Sequence, residues 1–210
     1  MLDIKLTSRL YRQSYLSYLA TYFCAIMVFW LFQDVAPDKI LNTWLLVFSV
    51  ITLVRVVLSL MHHTHEHKRV NEFWLIIFLV MTAISGTMWG LTGFLFLPAN
   101  MEFIESILYH GILLLCIAGL VTGAIITYSV SRMVYLSFSI PAIVPQCLML
   151  IAKGDKYHSF LGGVILAYTI IIFVISVYVH RIFADYCKVE TENDFLKLTL
   201  EKHNIKIEEH

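Results

Sequence analysis

Six long apolar runs, separated by short polar segments, dominate the pattern of hydrophobic and polar positions along the chain. Each run holds the roughly 20 residues that a helix needs to cross about 30 Å of hydrocarbon at ~1.5 Å per residue. The pattern therefore predicts an all-α, polytopic membrane protein with six transmembrane helices. We expect the spans at residues 15–32, 43–61, 73–96, 103–128, 133–152 and 159–182.

The sixth run differs from the others because it becomes charged after Asp185 without any residue that would stop a helix. Residues 179–210 contain neither Pro nor Gly, so we expect one continuous helix from 159 to 210. Residues spaced alternately four and three apart form a seam that predicts a coiled coil pairing two chains; a solvated tail is the alternative. The seam comprises Ile182, Tyr186, Val189, Asn193, Leu196, Leu200, His203 and Ile207.

This change of character also predicts the domain organisation. Residues 1–182 should form a six-helix transmembrane domain, and residues 183–210 a cytoplasmic signalling-helix linker. At the beginning of the chain, Lys5, Arg9 and Arg12 are interleaved with leucines. Residues 1–14 are therefore predicted to form a short amphipathic helix on the inner membrane face.

Composition and charge agree with a membrane protein. Hydrophobic residues make up 59% of the 210 positions and charged residues 14%, which excludes a soluble domain of this size. The 15 basic and 15 acidic residues balance, so net charge does not indicate a nucleic-acid partner. If both termini are cytoplasmic, the basic residues concentrate on the inner side, as the positive-inside rule requires. The inner set is Lys5, Arg9, Arg12, Lys68, Arg69, Arg132, Arg181 and Lys188, against Lys39, Lys153 and Lys156 outside.

Glycines recur at helical spacing in two of the spans. Gly86, Gly90 and Gly93 lie in the third span, and Gly119 and Gly123 lie in the fourth. Glycines four residues apart let another helix backbone approach closely, so we interpret both sets as helix-packing sites, with a ligand role as the alternative.

Other residues suggest how a signal could be transmitted. Arg55 is a charge inside the second span, which either has a function or extends its side chain to the headgroups. Two prolines should bend the fifth helix and free backbone carbonyls. The predicted signal-transmission residues are Arg55, Pro141, Pro145, Val189, Asn193, Leu196 and Leu200.

Several polar or aromatic residues are expected at similar depth in the outer half of the bundle. Beside the bent fifth helix they could line a pocket for a small ligand, or they could simply form hydrogen bonds between helices. The predicted ligand-binding residues are Trp89, Glu105, Tyr109, His110 and Gln146.

Motifs for metals, cofactors and catalysis are weak. The histidines from His62 to His67 could bind a transition metal, sense pH or be incidental, because they lack CxxC or HExxH spacing. His110 has no obvious partner for a haem, and the four cysteines form no disulfide framework. With no nucleotide-binding loop and no Ser/His/Asp arrangement, we predict no metal site, no cofactor and no enzymatic activity in this chain.

The order of these features resembles the N-terminal membrane input region of many bacterial sensor histidine kinases, often hybrid kinases, and diguanylate cyclases. The resemblance covers essentially the whole chain as a pattern of scattered positions. It implies a homodimer in the bacterial inner (cytoplasmic) membrane, with a kinase or cyclase module in cis. The matching positions are Trp44, Arg55, Gly86, Trp89, Gly90, Pro98, Tyr135, Pro141, Pro145, Glu192, Asn193, Leu196 and Leu200.

After Leu200 there is no H-box, ATP-binding glycine motif or GGDEF sequence. We therefore expect the input half of a receptor, either a piece of a longer chain or a naturally short one. Its short outer turns leave a small lipophilic signal, or the state of the membrane lipids, as what it detects. The chain is also similar to six-span kinases that detect lipophilic quorum signals such as α-hydroxyketones. A small transporter or channel, and an integral-membrane metal or haem protein, are the alternatives.

Overall fold

The computed structural model describes residues 2–64, 71–97, 101–128 and 131–208, and all regular structure in these segments is helical. Six of the helices are long and apolar enough to cross a membrane, which makes this a multi-pass membrane protein. The helices are α1 (Leu2–Leu31), α2 (Asp38–Thr64), α3 (Asn71–Gly90), α4 (Thr92–Phe96), α5 (Phe103–Tyr128), α6 (Arg132–Ala152) and α7 (Lys156–Glu208).

Burial shows which helix lies at the centre of the bundle. More than half (56%) of the apolar stretch of α6 is buried, compared with 22% for α2 and for α7. The outward faces carry large apolar side chains such as Leu19, Leu46 and Ile126, all well exposed. An exposed apolar surface of this extent is suited to lipid rather than water.

Aromatic contacts show that successive spans alternate in direction. Near the beginning of α1, the Tyr11 ring lies 4.3 Å from the His62 ring of α2 and 6.1 Å from the Trp74 ring of α3. Beyond the other end of α1, the Phe32 ring lies 5.5 Å from Phe96 and 5.3 Å from Tyr109. We call the first side, where α1 begins and α2 ends, the tail side, and the opposite side the turn side.

Most predicted spans coincide with the helices, and α5 covers the predicted residues 103–128. Two elements differ. Residues 2–14 are helical but continue into the first span, because α1 runs unbroken from Leu2 to Leu31 with no Pro or Gly; their position on the inner membrane face stays a prediction. The third span was expected to be one helix, yet α3 ends at Gly90 and α4 starts at Thr92.

Glycines bring α3 and α6 into backbone contact, as predicted. A Cβ atom added at Gly86 would lie 2.3 Å from the carbonyl oxygen of Phe138, and one at Gly90 would lie 2.0 Å from that of Pro141. Pro145 has no N–H to bond the Pro141 carbonyl four residues earlier. The Gly90 backbone therefore packs directly against a carbonyl to which Pro145 cannot donate.

The glycines of the fourth span do not pack in this way. A Cβ atom at Gly119 or Gly123 would meet nothing within 4 Å, so their interpretation as a packing site within the chain was wrong. The neighbouring Leu115 and Ile126 on α5 are also strongly exposed. This face is directed away from the bundle.

Candidate functional site

Two clusters of polar side chains interrupt the apolar bundle. One surrounds Arg55 on the tail side, and the other surrounds Ser106 on the turn side. Because polar groups are costly inside a bilayer unless they find partners, their contacts indicate what each cluster can do.

The Arg55 side chain is directed into the bundle and is only 5% exposed. It therefore does not extend to the headgroups, which was one of the two expectations for it. Its guanidinium donates hydrogen bonds from Nη1 to Ser85 Oγ at 2.9 Å, and from Nη2 to Tyr128 OH at 3.0 Å and Thr82 Oγ1 at 3.4 Å. It also lies 4.4 Å from the centre of the Tyr18 ring. Arg55 thus connects α2 with α1, α3 and α5.

All of these partners are neutral. Within the described segments, the ion pairs join His158 to Asp155 and Lys188 to Asp185, and none involves Arg55. Hydroxyl groups and an aromatic ring solvate the cation but do not neutralise it. A buried cation without an anionic partner inside a membrane bundle is the first candidate for a binding site.

A narrow cleft lies next to the guanidinium, between α1, α2 and α3. It is small, with a volume of about 10 Å³, which is roughly the space of one water molecule. Tyr11, at its tail-side end, donates a hydrogen bond to the Trp74 carbonyl at 3.0 Å. Burial raises the pKa of Tyr11, so it remains a neutral donor. The apolar walls of the cleft are formed by Leu58, Ile77, Phe78 and Met81.

The turn-side cluster joins the first turn of α7 to α5. Asp155 precedes α7, and its Oδ1 accepts the backbone N–H groups of Tyr157 at 3.0 Å and His158 at 2.9 Å, as an N-cap residue does. Its Oδ2 contacts Nδ1 of His158. The Nε2 atom of His158 lies 3.2 Å from Ser106 Oγ on α5, and Lys153 Nζ donates to the same oxygen at 2.8 Å.

The partners of each histidine indicate where its proton resides. Nδ1 of His158 faces the Asp155 carboxylate, which only accepts, so Nδ1 carries a proton and donates it there. Nδ1 of His110 lies 2.6 Å from the Ser106 carbonyl, an acceptor only, so it donates there. Nε2 of His110 is buried and has no partner among the described residues.

Asp155, His158 and Ser106 follow the order of a serine-hydrolase relay, an arrangement that we did not expect from the sequence. Ser106 is only 5% exposed, and the Lys153 ammonium group covers its oxygen. The chain of hydrogen bonds therefore fastens α7 to α5 rather than presenting a nucleophile. We call the set Ser106, Lys153, Asp155 and His158 the turn-side latch.

Charge also influences the latch. The pKa of the Asp155 carboxyl is lowered, mainly by the hydrogen bond that it accepts from the backbone N–H of His158. The His158 side chain lowers it further. Partial burial lowers the pKa of Lys153, against the opposing effect of Asp155. Both groups lie in the turn between α6 and α7.

The five predicted ligand-binding residues do not gather in one place. Gln146 Nε2 donates to the carbonyls of Trp89 at 3.2 Å and Gly90 at 3.0 Å, which are the carbonyls exposed where α3 ends. The Tyr109 ring packs against Phe32, whereas His110 belongs to the turn-side cluster. Glu105 is exposed on the first turn of α5.

Around Trp89 the side chains fill the available space. Trp89 has no exposed surface, and its ring lies 5.6 Å from Trp44 and 5.8 Å from Phe48. Gln146 is equally enclosed, since its Oε1 would lie 2.4 Å from a Cβ at Gly93. This arrangement matches the alternative expectation, hydrogen bonds between helices; whether any of these residues binds a ligand stays a prediction.

Sequence reasoning missed the partner of His110. The His158 ring lies 5.1 Å away at nearly a right angle, although no mate for His110 was expected. The spacing Asp155-x-x-His158 at the beginning of a helix indicates that this histidine can contact the N-cap carboxylate, but it gives no signal for the contact with His110.

The remaining predicted residues lie where the sequence suggested, but their roles are untested. Pro141 and Pro145 are inside α6 without breaking it. On the last part of α7, Val189, Asn193, Leu196 and Leu200 are all exposed. Of the predicted His62–His67 cluster, His62 stacks on Tyr11, and residues 65–67 lie outside the described segments.

In the part of the chain that the structure describes, no group of three or more His, Cys, Asp or Glu could hold a metal ion. Comparison with known proteins adds no identity: no family model, no curated protein and no solved structure matches the chain.

Proposed function

We propose that this chain is the membrane-embedded signal-input domain of a bacterial sensor protein. It detects a small lipophilic signal or a state of the membrane and transmits it through α7 to a cytoplasmic kinase or cyclase module in cis. The observation that carries the proposal is the continuity of α7, which runs for 53 residues from Lys156 to Glu208. Its apolar stretch ends at Glu190, so the same helix continues beyond the lipid.

A continuous helix suits signal transmission because its two ends cannot move independently. The turn-side latch holds the first turn of α7, and Tyr168 fixes α7 farther along by donating to the Ala118 carbonyl of α5 at 2.6 Å. A shift of α5 relative to α6 would therefore displace α7 along its length. Helix shifts of about 1–2 Å are a common way of switching a following domain.

The last part of α7 also supports a homodimer. Val189, Leu196 and Leu200 are each more than half exposed on one seam of α7; Val189 lies at the end of the apolar stretch, and Leu196 and Leu200 lie beyond it. Apolar seam residues at this spacing lose their contact with water when two such helices pair.

Cysteine cross-linking tests the dimer. In a background with the four native cysteines replaced, Val189→Cys, Leu196→Cys and Leu200→Cys should form disulfides between chains in membranes. Lys188→Cys provides the matched control, because Lys188 is exposed but lies off the seam. Equal cross-linking at Lys188 and at the seam positions, or none anywhere, would contradict pairing through α7.

A small transporter or channel is the second candidate. The interruption between α3 and α4 favours it, because discontinuous helices mark substrate routes in transporters. Against it, Gln146 already occupies the carbonyls at that interruption. Flux of small ions and solutes from proteoliposomes separates the two, since a receptor domain should release none above the empty-liposome rate.

A further inference from the structure

We propose that His110 is a proton-binding site through which acidity on the turn side loosens the contact between α5 and the first turn of α7. This inference deepens the receptor proposal, because it names a regulator of α7, and it rests on that proposal for the signalling role of the helix. The proton sensitivity itself follows from the surroundings of two histidines.

The first step concerns the hydrogen bonds of His110. Its Nδ1 atom donates to the Ser106 carbonyl at 2.6 Å. The side chain is only 1% exposed, and Nε2 has no hydrogen-bond partner among the described residues. A second proton, placed on Nε2, would create a buried cation whose new N–H group has no acceptor there. Such a charge is costly in surroundings of low dielectric.

The second step compares His110 with His158. Nδ1 of His158 contacts the Asp155 carboxylate, so a positive charge on the His158 ring would meet an anion directly. The two oxygens of Asp155 already accept the backbone N–H groups of Tyr157 and His158 and the proton of the His158 ring. Of the two rings, His110 is therefore the one that the closed arrangement keeps neutral.

The third step concerns the other charges near His110. The groups that act on it electrostatically are Lys153 and Asp155 in the turn between α6 and α7, and His158 on α7. Lys153 is a cation, and the His158 ring lies 5.1 Å from the His110 ring. Glu105, an acid one turn earlier on α5, is exposed. A proton on His110 would thus place a second cation near the Lys153 ammonium group.

The fourth step concerns access and its consequence. Solvent reaches the rim of this cluster, because Lys153 is exposed and 32% of the Asp155 side chain is exposed. An exposed histidine takes up a proton at about pH 6.5. A conformation that separates α7 from α5 would expose His110 to that proton, so acid shifts the population towards it. One proton changes the ratio of open to closed molecules by at most about tenfold per pH unit.

The distance between α5 and the first turn of α7 tests the proposal. Nitroxide labels are attached at Glu105→Cys and Lys156→Cys, both exposed positions, in the full chain with its native cysteines replaced. Pulsed electron spin resonance in phosphatidylcholine nanodiscs should give one distance at pH 8. Below about pH 6.5 a second, longer distance should appear, and its share should rise by up to about tenfold per pH unit.

Variants show whether His110 is responsible. His110→Gln retains a polar side chain that does not titrate, so its distances should be the same at pH 8 and pH 5. His110→Phe retains a ring without a proton site and decides the matter if His110→Gln does not fold. His180→Gln removes a histidine from the other end of the apolar stretch of α7 and should respond to pH as the unaltered chain does.

Three outcomes would overturn the proton site. The unaltered chain could show one unchanged distance from pH 8 to pH 5, a His110 variant could keep the full response, or His180→Gln could lose it. None of these results alters the cross-linking expected at pH 8 along the seam of α7. A failed proton site and a failed receptor proposal are therefore distinguishable.

Discussion

Single polar side chains determine how the helices of this bundle are fastened together. Arg55 joins four helices through hydroxyls and a ring, and Gln146 bonds the carbonyls released where α3 ends. Each bond is strengthened by the low dielectric around it, and each lost partner would leave a buried polar atom. The functional question at this scale is which of these contacts is fixed and which can be changed by a signal.

The contacts of Asp155 are the ones that a change in the solvent can alter most readily, because this residue is partly exposed in the turn between α6 and α7. Its pKa is lowered mainly by the His158 N–H that it accepts, so its charge stabilises the fold above the ordinary aspartate pKa of about 3.9. That contribution is lost as the pH falls through the lower pKa of the folded state. Asp155→Asn should therefore unfold at a lower temperature than the unaltered chain at pH 7, and the difference should vanish in acid.

Thermal unfolding in detergent between pH 3 and pH 7 measures this difference. Asp34→Asn is the matched control, since Asp34 is exposed in the turn between α1 and α2. A gap between Asp155→Asn and the unaltered chain that is constant with pH would show that the carboxylate does not titrate within the latch.

Sequence could predict the helices that carry these residues but not their partners. Arg55 lies in α2 and His110 in α5, and their positions along these helices follow directly from the rise of about 1.5 Å per residue. Which side chains face each other depends on the rotation of each helix about its axis. That rotation is set by packing among six helices, so the contact of His158 with Ser106 and His110 had no signature in a single run.

Helix-to-helix packing explains why α3 and α6 lie so close. At Gly90 the neighbouring group is a backbone carbonyl, which cannot rotate aside as the end of a side chain can. Gly90→Ala should therefore push the helices apart and lower the free energy of unfolding by about 1–3 kcal/mol, the usual cost of overpacking. Gly111→Ala, where an added Cβ meets nothing within 4 Å, should be neutral or stabilising.

Unfolding midpoints of the two variants in the same detergent check this prediction. Equal effects at Gly90 and Gly111 would mean that helix propensity, rather than the contact with Pro141, governs the response. A loss confined to Gly90 would identify the α3–α6 contact as the tightest constraint on how the bundle can move.

At the scale of elements, the apolar runs predicted the helices because length and hydropathy are properties of each run by itself. The interruption at Leu91 was missed because it involves a residue from another part of the chain. It depends on Gln146, 55 positions later, supplying donors to the freed carbonyls. The continuity of α7 was predicted correctly, since the absence of Pro and Gly is also local, whereas its pairing into a coiled coil stays a prediction.

For the whole molecule, the central feature is a helix that is held by hydrogen bonds at the turn side and extends past its own apolar stretch on the tail side. The 18 residues from 191 to 208 add about 27 Å to the apolar stretch at ~1.5 Å per residue. If α7 transmits rotation as a rigid rod, inserting residues within it should alter the output according to their number.

An insertion after Lys188 tests this mechanism in a chimera with a histidine-kinase catalytic module placed after the chain. Four alanines turn everything beyond them by about 40°, whereas seven turn it by only about 20° and restore the heptad spacing. We therefore expect autophosphorylation to change with four residues and to return close to its original level with seven. If autophosphorylation were the same without an insertion, with four alanines and with seven, the orientation of α7 would carry no signal. A helix that transmits rotation must change the output when the part beyond the insertion is rotated.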